Sequence, residues 1–332
     1  MAGELLDQGR LGPSVGSELP LPLRRPCLMK ADDKCSAAGS ILTEADAQQL
    51  RDTGFVVIDG FLSDSLAATL RSEAVELATA GRMPQHRFQF GASQFAKPHI
   101  FEADLHDEVM QEALPEFANL LFDDSLAKCL ELLLPDLGLE IGPRTKSLKL
   151  QRNCGRGGCF PAHYDNAGRP SRRAVTCVVY LNPDWRQGDG GELVLHPFLR
   201  KEVVVSPAMG RAALFRSDRI LHSVRPAVAE RFCFTIWLDS SDINRDSDCN
   251  LTAKHLSTDP LSVASLMQSP VQRAVSRAVY AEEYEASLIA CMEGAEGCEE
   301  MLQEHRQHVQ SQQTHPQLGP FIKHLRHLKS ET

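Results

Sequence analysis

The sequence predicts a mainly β protein: a double-stranded β-helix (jelly-roll) core preceded by helices and followed by a helical C-terminal extension. Three observations predict it. Between residues 144 and 240, short β-branched and aromatic runs alternate with Gly and Pro turns at the spacing of a sandwich or barrel. No long amphipathic helix interrupts this stretch, which argues against a parallel βαβ sheet. His163 and Asp165 lie two apart, and His222 follows 57 residues after Asp165, a separation suited to a distant strand returning to the same spot.

Residues 1–40 are rich in Gly, Pro and Ser without periodicity and read as a disordered arm. Residues 41–140 form a helix-and-strand support region. Thr43 caps a first helix, with Asp46 where a capping box usually has glutamate. Phe55-Val56-Val57-Ile58 is a strand, and Ser63 caps a second helix whose Leu66, Leu70, Ala74 and Leu77 form one buried face. A further helix over 125–134 stops at Pro135.

The core, 141–240, contains strands at 173–182, 192–197, 203–205, 212–215 and 232–238, with Gly188-Asp189-Gly190-Gly191 and Pro207-Ala208-Met209-Gly210 as turns. In the extension, 241–332, residues 265–301 read as helical, with Val271, Ala274, Val275, Ala278 and Val279 on an apolar face.

The residues that carry chemistry lie in the core. Two imidazoles and one carboxylate are the ligand set that holds a non-haem Fe(II) on one face and leaves the opposite positions open. On an extended backbone His163 and Asp165 point the same way, and His222 completes the set. Arg231, nine residues after His222, is placed to return antiparallel and grip a carboxylate with two parallel hydrogen bonds. A triad with a carboxylate anchor is the equipment of a 2-oxoglutarate-dependent oxygenase.

Residues 43–240 resemble the prolyl 4-hydroxylase branch of the Fe(II)/2-oxoglutarate dioxygenases, including the oxygen-sensing prolyl hydroxylases. The matching stretches are Gly54-Phe55-Val56-Val57-Ile58-Asp59-Gly60-Phe61-Leu62, Arg144-Thr145-Lys146, His163-Tyr164-Asp165-Asn166, residues 175–185, Gly190-Gly191-Glu192-Leu193, Phe215-Arg216-Ser217-Asp218, His222 and residues 231–237.

The resemblance implies His163, Asp165 and His222 as iron ligands and Arg231 as partner of the distal carboxylate of 2-oxoglutarate. It places Tyr180 on that same carboxylate, with Leu193 and Thr235 lining the cosubstrate pocket, and has the N-terminal helices brace one sheet from outside. It implies Fe(II), 2-oxoglutarate as cosubstrate, O2 and L-ascorbate as reductant. The reaction implied hydroxylates a C–H bond, on a prolyl residue of a peptide or protein, with release of succinate and CO2. The chain departs from the oxygen sensors at Gln151-Arg152-Asn153, where they carry a tyrosine that contacts the cosubstrate; which of the three substitutes is left open. Arg225 replaces an uncharged residue near the mouth.

Composition narrows the partners. A net charge of −9 and a pI near 5.8 argue against broad nucleic-acid affinity. Arg144, Lys146, Lys149, Arg152, Arg156, Arg169, Arg172 and Arg173 around the triad read first as solvated or paired charges, and second as a basic rim for an acidic substrate. No secretory signal or membrane span is expected, so the setting is cytoplasmic or nuclear and the ten cysteines are expected as thiols. Cys154 and Cys159 flank a Gly-rich loop, with a redox role as the second reading. His86, His99, His106, His196, His255, His305, His308, His315, His324 and His327 read as surface or structural. The competing functional classes are a jelly-roll binding module and an oxygenase of a small molecule or nucleic acid. Oligomeric state is left open.

Overall fold

The computed structural model describes residues 42–90, 93–142, 144–241 and 251–332, so the arm expected at 1–40 lies outside the described residues. The chain opens with α1 (Glu44–Thr53), β1 (Phe55–Ile58) and α2 (Asp64–Thr79). A hairpin of β2 (Gln85–Phe90) and β3 (Ser93–Asp104) follows, then α3 (Glu108–Ala113), α4 (Pro115–Phe122) and α5 (Ser125–Leu133). The core strands are β4 (Lys146–Asn153), β5 (Gly158–His163), β6 (Arg173–Tyr180), β7 (Leu193–His196), β8 (Val203–Val205), β9 (Ala212–Arg216), β10 (Leu221–Ala227) and β11 (Arg231–Asp239). The tail carries α6 (Pro260–Met267), α7 (Arg273–Val279), α8 (Ala281–Met292), α9 (Cys298–Thr314) and α10 (Leu318–Ser330).

Local chemistry sets the entry. The Asp46 N–H donates to the Thr43 hydroxyl at 3.1 Å, and the Thr43 N–H donates to the Asp46 carboxylate at 2.9 Å. Aspartate thus closes the capping box that usually takes glutamate.

Two antiparallel sheets stack without closing into a barrel. The larger has the order β1-β9-β6-β11-β4-β3-β2, the smaller β5-β10-β7-β8. Period-two alternation divides each strand between two environments. On β11, Phe232, Phe234, Ile236 and Leu238 pack with Leu70, Phe117 and Leu130 of the N-terminal helices. Cys233 instead joins Tyr180, Leu193 and Phe215 between the sheets, and Arg231, Thr235 and Trp237 share its face. The helices therefore brace the outside of the larger sheet.

The smaller sheet is covered from outside by the tail. Ala162 and Leu221, each one residue from a triad histidine, pack with Val275, Ala278, Phe321 and Leu325. Each buried Val, Leu or Phe of this set contributes about 1.5–3 kcal/mol relative to exposure. β5 is an edge strand, and α8 lies against it: the Ala162 N–H donates to the Ser287 hydroxyl at 2.9 Å. Among the described residues the tail carries five α-helices rather than one long run; Gly294 and Gly297, both at positive φ, turn the chain between α8 and α9. Among the described residues no helix is long and apolar enough to cross a membrane.

Cys159 on β5 and Cys291 on α8 form a disulfide, with Cα atoms 5.3 Å apart. This corrects the expectation of reduced thiols for that pair. Cys154, at the other end of the Gly-rich loop from Cys159, is free, as is Cys298.

Candidate active site

His163 ends β5, His222 opens β10, and the antiparallel register sets them directly opposite each other. Asp165 follows two residues after His163. One ligand atom from each of the three lies within 4.8 Å of the others, a group able to hold a metal ion. The tautomers are set by the backbone: His163 Nδ1 donates to the Pro161 carbonyl at 2.8 Å and His222 Nδ1 to that of Ile220 at 3.2 Å. Both Nε2 atoms are left facing Asp165 Oδ1, at 3.4 and 3.7 Å. This is the ring orientation a metal ligand needs.

Thr176 on β6 donates to the other carboxylate oxygen, Oδ2, at 2.7 Å, and its hydroxyl is also 2.8 Å from that of Ser217. Burial alone pushes the Asp165 carboxyl up, but His222, His163 and Arg173 hold it well below the usual carboxylate range. Burial, and then the neighbouring His163, bring His222 down to about 4, against the pull of Asp165. The His222 imidazole is thus neutral at pH 7 and available as a ligand.

These residues border a cavity of about 470 Å³. Arg231, Leu193 and Thr235 line it. Tyr180 does not line it but lies behind, its ring 5.2 Å from the Arg231 guanidinium carbon. Among the described residues, Arg231 Nε and the Tyr180 hydroxyl are both buried without a hydrogen-bond partner. Buried orphans of this kind fit a missing acceptor such as a carboxylate. Gly191 makes the space, since a Cβ on it would come within 2.7 Å of Arg231 Cδ and its φ is +75°.

Of the three residues left open by the sequence, Gln151 lines the cavity and donates to Glu102 at 3.3 Å. Arg152 turns outward to Glu230, and Asn153 is buried, its amide donating to the Gly158 carbonyl at 2.6 Å. Arg225 pairs with Glu202 at 3.3 Å on the surface, next to the lining residue Val224, and is not itself part of the cavity lining. The basic rim is largely consumed by pairing, Lys146 with Asp124, Lys149 with Glu102 and Arg172 with Glu140.

Sequence reasoning missed two walls. One is the β2–β3 hairpin, which contributes His86, Phe88, Lys97 and Glu102. Glu102 is held by Lys149 at 2.9 Å and His86 at 3.1 Å; burial opposes its ionisation, but these partners bring it down to about 2. The other wall is the tail, with Tyr284, Leu288, Met292, Met301 and His305. His86 and His305, read from the sequence as surface or structural, thus border the cavity. Their only signal in the sequence was residue type, without the spacing that marks the triad.

A family profile described as "2OG-Fe(II) oxygenase superfamily" matches residues 148–239. Human Egl nine homolog 1 is 35% identical over 194 residues, 57% of this chain and 44% of that protein. Human prolyl hydroxylase EGLN3 is 25% identical over 202 residues, 57% of this chain and 79% of that one. The chain spans about half the length of the Egl nine homologues it matches. A prolyl 4-hydroxylase structure from Phytophthora capsici superposes with a TM-score of 0.77 at 38% identity, covering 91% of this chain and 98% of that one. With the same sheets and most of the chain shared at that identity, the protein belongs to the 2OG-Fe(II) oxygenase superfamily, in its prolyl hydroxylase-like branch.

Proposed function

We propose that this chain is an Fe(II)- and 2-oxoglutarate-dependent dioxygenase that hydroxylates a prolyl residue of a peptide or protein. The observation that carries the reading is the convergence of His163 Nε2, His222 Nε2 and Asp165 on a cavity that Arg231 also lines, its buried Nε without a hydrogen-bond partner among the described residues.

In this reading His163, Asp165 and His222 hold the iron. With 2-oxoglutarate and O2 the bound metal supplies oxidation of a C–H bond to C–OH, converting the keto-acid to succinate and CO2. The protein contributes position. Thr176 fixes Asp165 so that Oδ1 faces the imidazoles. Arg231 grips the distal carboxylate of 2-oxoglutarate, Tyr180 adds its hydroxyl from behind, and Leu193 and Thr235 shape the pocket. Of Gln151, Arg152 and Asn153, we assign the cosubstrate contact to Gln151, the one that lines the cavity. L-Ascorbate serves as reductant. Residues 141–240 form the catalytic core, 41–140 its support and 241–332 the extension. We place the protein in the cytoplasm or nucleus, where the burial of Cys159 and Cys291 shields their bond from the reducing pool.

The test is an anaerobic titration with Fe(II) and then 2-oxoglutarate, followed by a screen of proline peptides for succinate and hydroxyproline. A visible charge-transfer band with peptide-dependent hydroxyproline supports the reading. Succinate without hydroxyproline would keep the oxygenase and remove the prolyl substrate. A folded, iron-loaded protein with no band would leave the binding-module class in front.

A further inference from the structure

The β2–β3 hairpin loses its register beside the cavity. Arg87 pairs with Ala96, but Gln85, two residues back, pairs with Phe101, so five residues of β3 are spanned against two of β2. His99 within the bulge has φ 62°, a conformation β-region residues rarely adopt. Bulges of this kind re-aim side chains next to active sites. Here the bulge carries Lys97, whose side chain lines the cavity.

Lys97 is only 6% exposed. Among the described residues its amine has no hydrogen-bond or ion-pair partner; it rests on the faces of Phe160, 3.7 Å from the ring centroid, and Phe88, at 5.6 Å. Phe160 in turn packs against the His163 ring, centroids 6.3 Å apart. The carboxylate whose field reaches Lys97 is Glu102, already engaged by Lys149, His86 and Gln151. Glu102 and Asp165 are the only carboxylates among the described lining residues, whereas Arg87 and Arg277 add further positive charge. A buried amine without an acceptor is costly and calls for an anion from outside.

We propose that Lys97 is a specificity-determining residue that binds a carboxylate of the substrate, so that the preferred peptide carries an Asp or Glu close to its target proline. This rests on the prolyl hydroxylase reading above. The carboxylate would complete the charge balance that Glu102 cannot supply, and the two phenyl faces would keep the ammonium aimed at it.

The experiment uses the full chain and uncharged proline peptides in which a single Asp is moved stepwise past the proline, each with its Asn counterpart. Hydroxyproline formation is measured for the unaltered protein, Lys97→Met and Lys97→Arg, with the keto-acid band and thermal unfolding as folding controls. The expected result is an Asp-over-Asn preference of about tenfold or more in kcat/KM at one position, the scale of one hydrogen bond to a charged group. It should be lost in Lys97→Met and kept in Lys97→Arg. Equal turnover of the pairs, or a preference that survives Lys97→Met, overturns the assignment while prolyl hydroxylation stands. Turnover of no peptide removes the prolyl reading, and this assignment with it.

Discussion

His163 and His222 are register partners across β5 and β10, and their rings face each other with centroids 4.3 Å apart. Each ring donates through Nδ1 to a carbonyl two residues before it, so both Nε2 atoms are presented without help from a metal. The pair is preorganised, which lets metal removal spare the fold. His222→Ala should abolish Fe(II) retention and the keto-acid band, while circular dichroism keeps the β signature. A lost β signature would show that the ring, packed against Phe215, is needed for folding as well.

Thr176→Val should loosen the metal. The hydroxyl fixes Asp165 Oδ2, and removal of such an orienting partner typically costs 10–100-fold in metal affinity. Thr176→Ser should restore most of it. Competition with a chelator of known affinity reads the difference.

Arg231→Ala should weaken 2-oxoglutarate by about 1.5–3 kcal/mol, the worth of hydrogen bonds to a charged group. Gly191→Ala should act in the same direction without touching a charge, since the new methyl group meets Arg231 Cδ and sits at φ +75°. Unchanged 2-oxoglutarate affinity in both variants would remove Arg231 as the anchor.

Lys97 makes a signed pH prediction. Burial lowers its amine from the ordinary 10.5 to about 7, against the attraction of Glu102. Between those values the unfolded chain holds a proton that the folded protein has released, so this residue's contribution to stability rises with pH across that window. Below pH 7 the buried charge exerts its full cost. Lys97→Met should therefore stabilise most near pH 6, with the gap to the unaltered protein closing toward pH 10. Thermal unfolding at several pH values tests it; a gap that widens with pH contradicts the burial argument.

The bond between Cys159 and Cys291 joins residues 132 apart in sequence. Closing a loop of that length typically contributes about 2–5 kcal/mol. Reductant should lower the unfolding midpoint of the unaltered protein, and should do nothing further to Cys291→Ser. A midpoint insensitive to reductant would count against the bond.

The triad and the double sheet were legible because both rest on a period of two. His-x-Asp puts two ligands on one face, and the Phe, Ile and Leu alternation of β11 assigns its remaining face to Arg231, Cys233, Thr235 and Trp237. The β2–β3 hairpin was not legible. Lys97-Pro98-His99 breaks the alternation at the bulge, so β3 has no strand pattern where it matters most. Leu288, Met292 and Met301 look like ordinary apolar positions of a helix, and only the docking of α8 and α9 turns them toward the cavity. The pairing of Cys159 with Cys291 could not follow from spacing, because ten cysteines permit too many connectivities.

The seating of α8 along β5 has a consequence for how this protein behaves in a crowd. β5 ends the smaller sheet, and an open sheet edge is a template on which another copy can add a strand. The Ser287 hydroxyl already occupies the Ala162 N–H, and the helix bearing it covers that border. Damage to the tail would then bare a strand border to self-association at the same time as it opens one wall of the cavity, so the extension guards the molecule and its chemistry together.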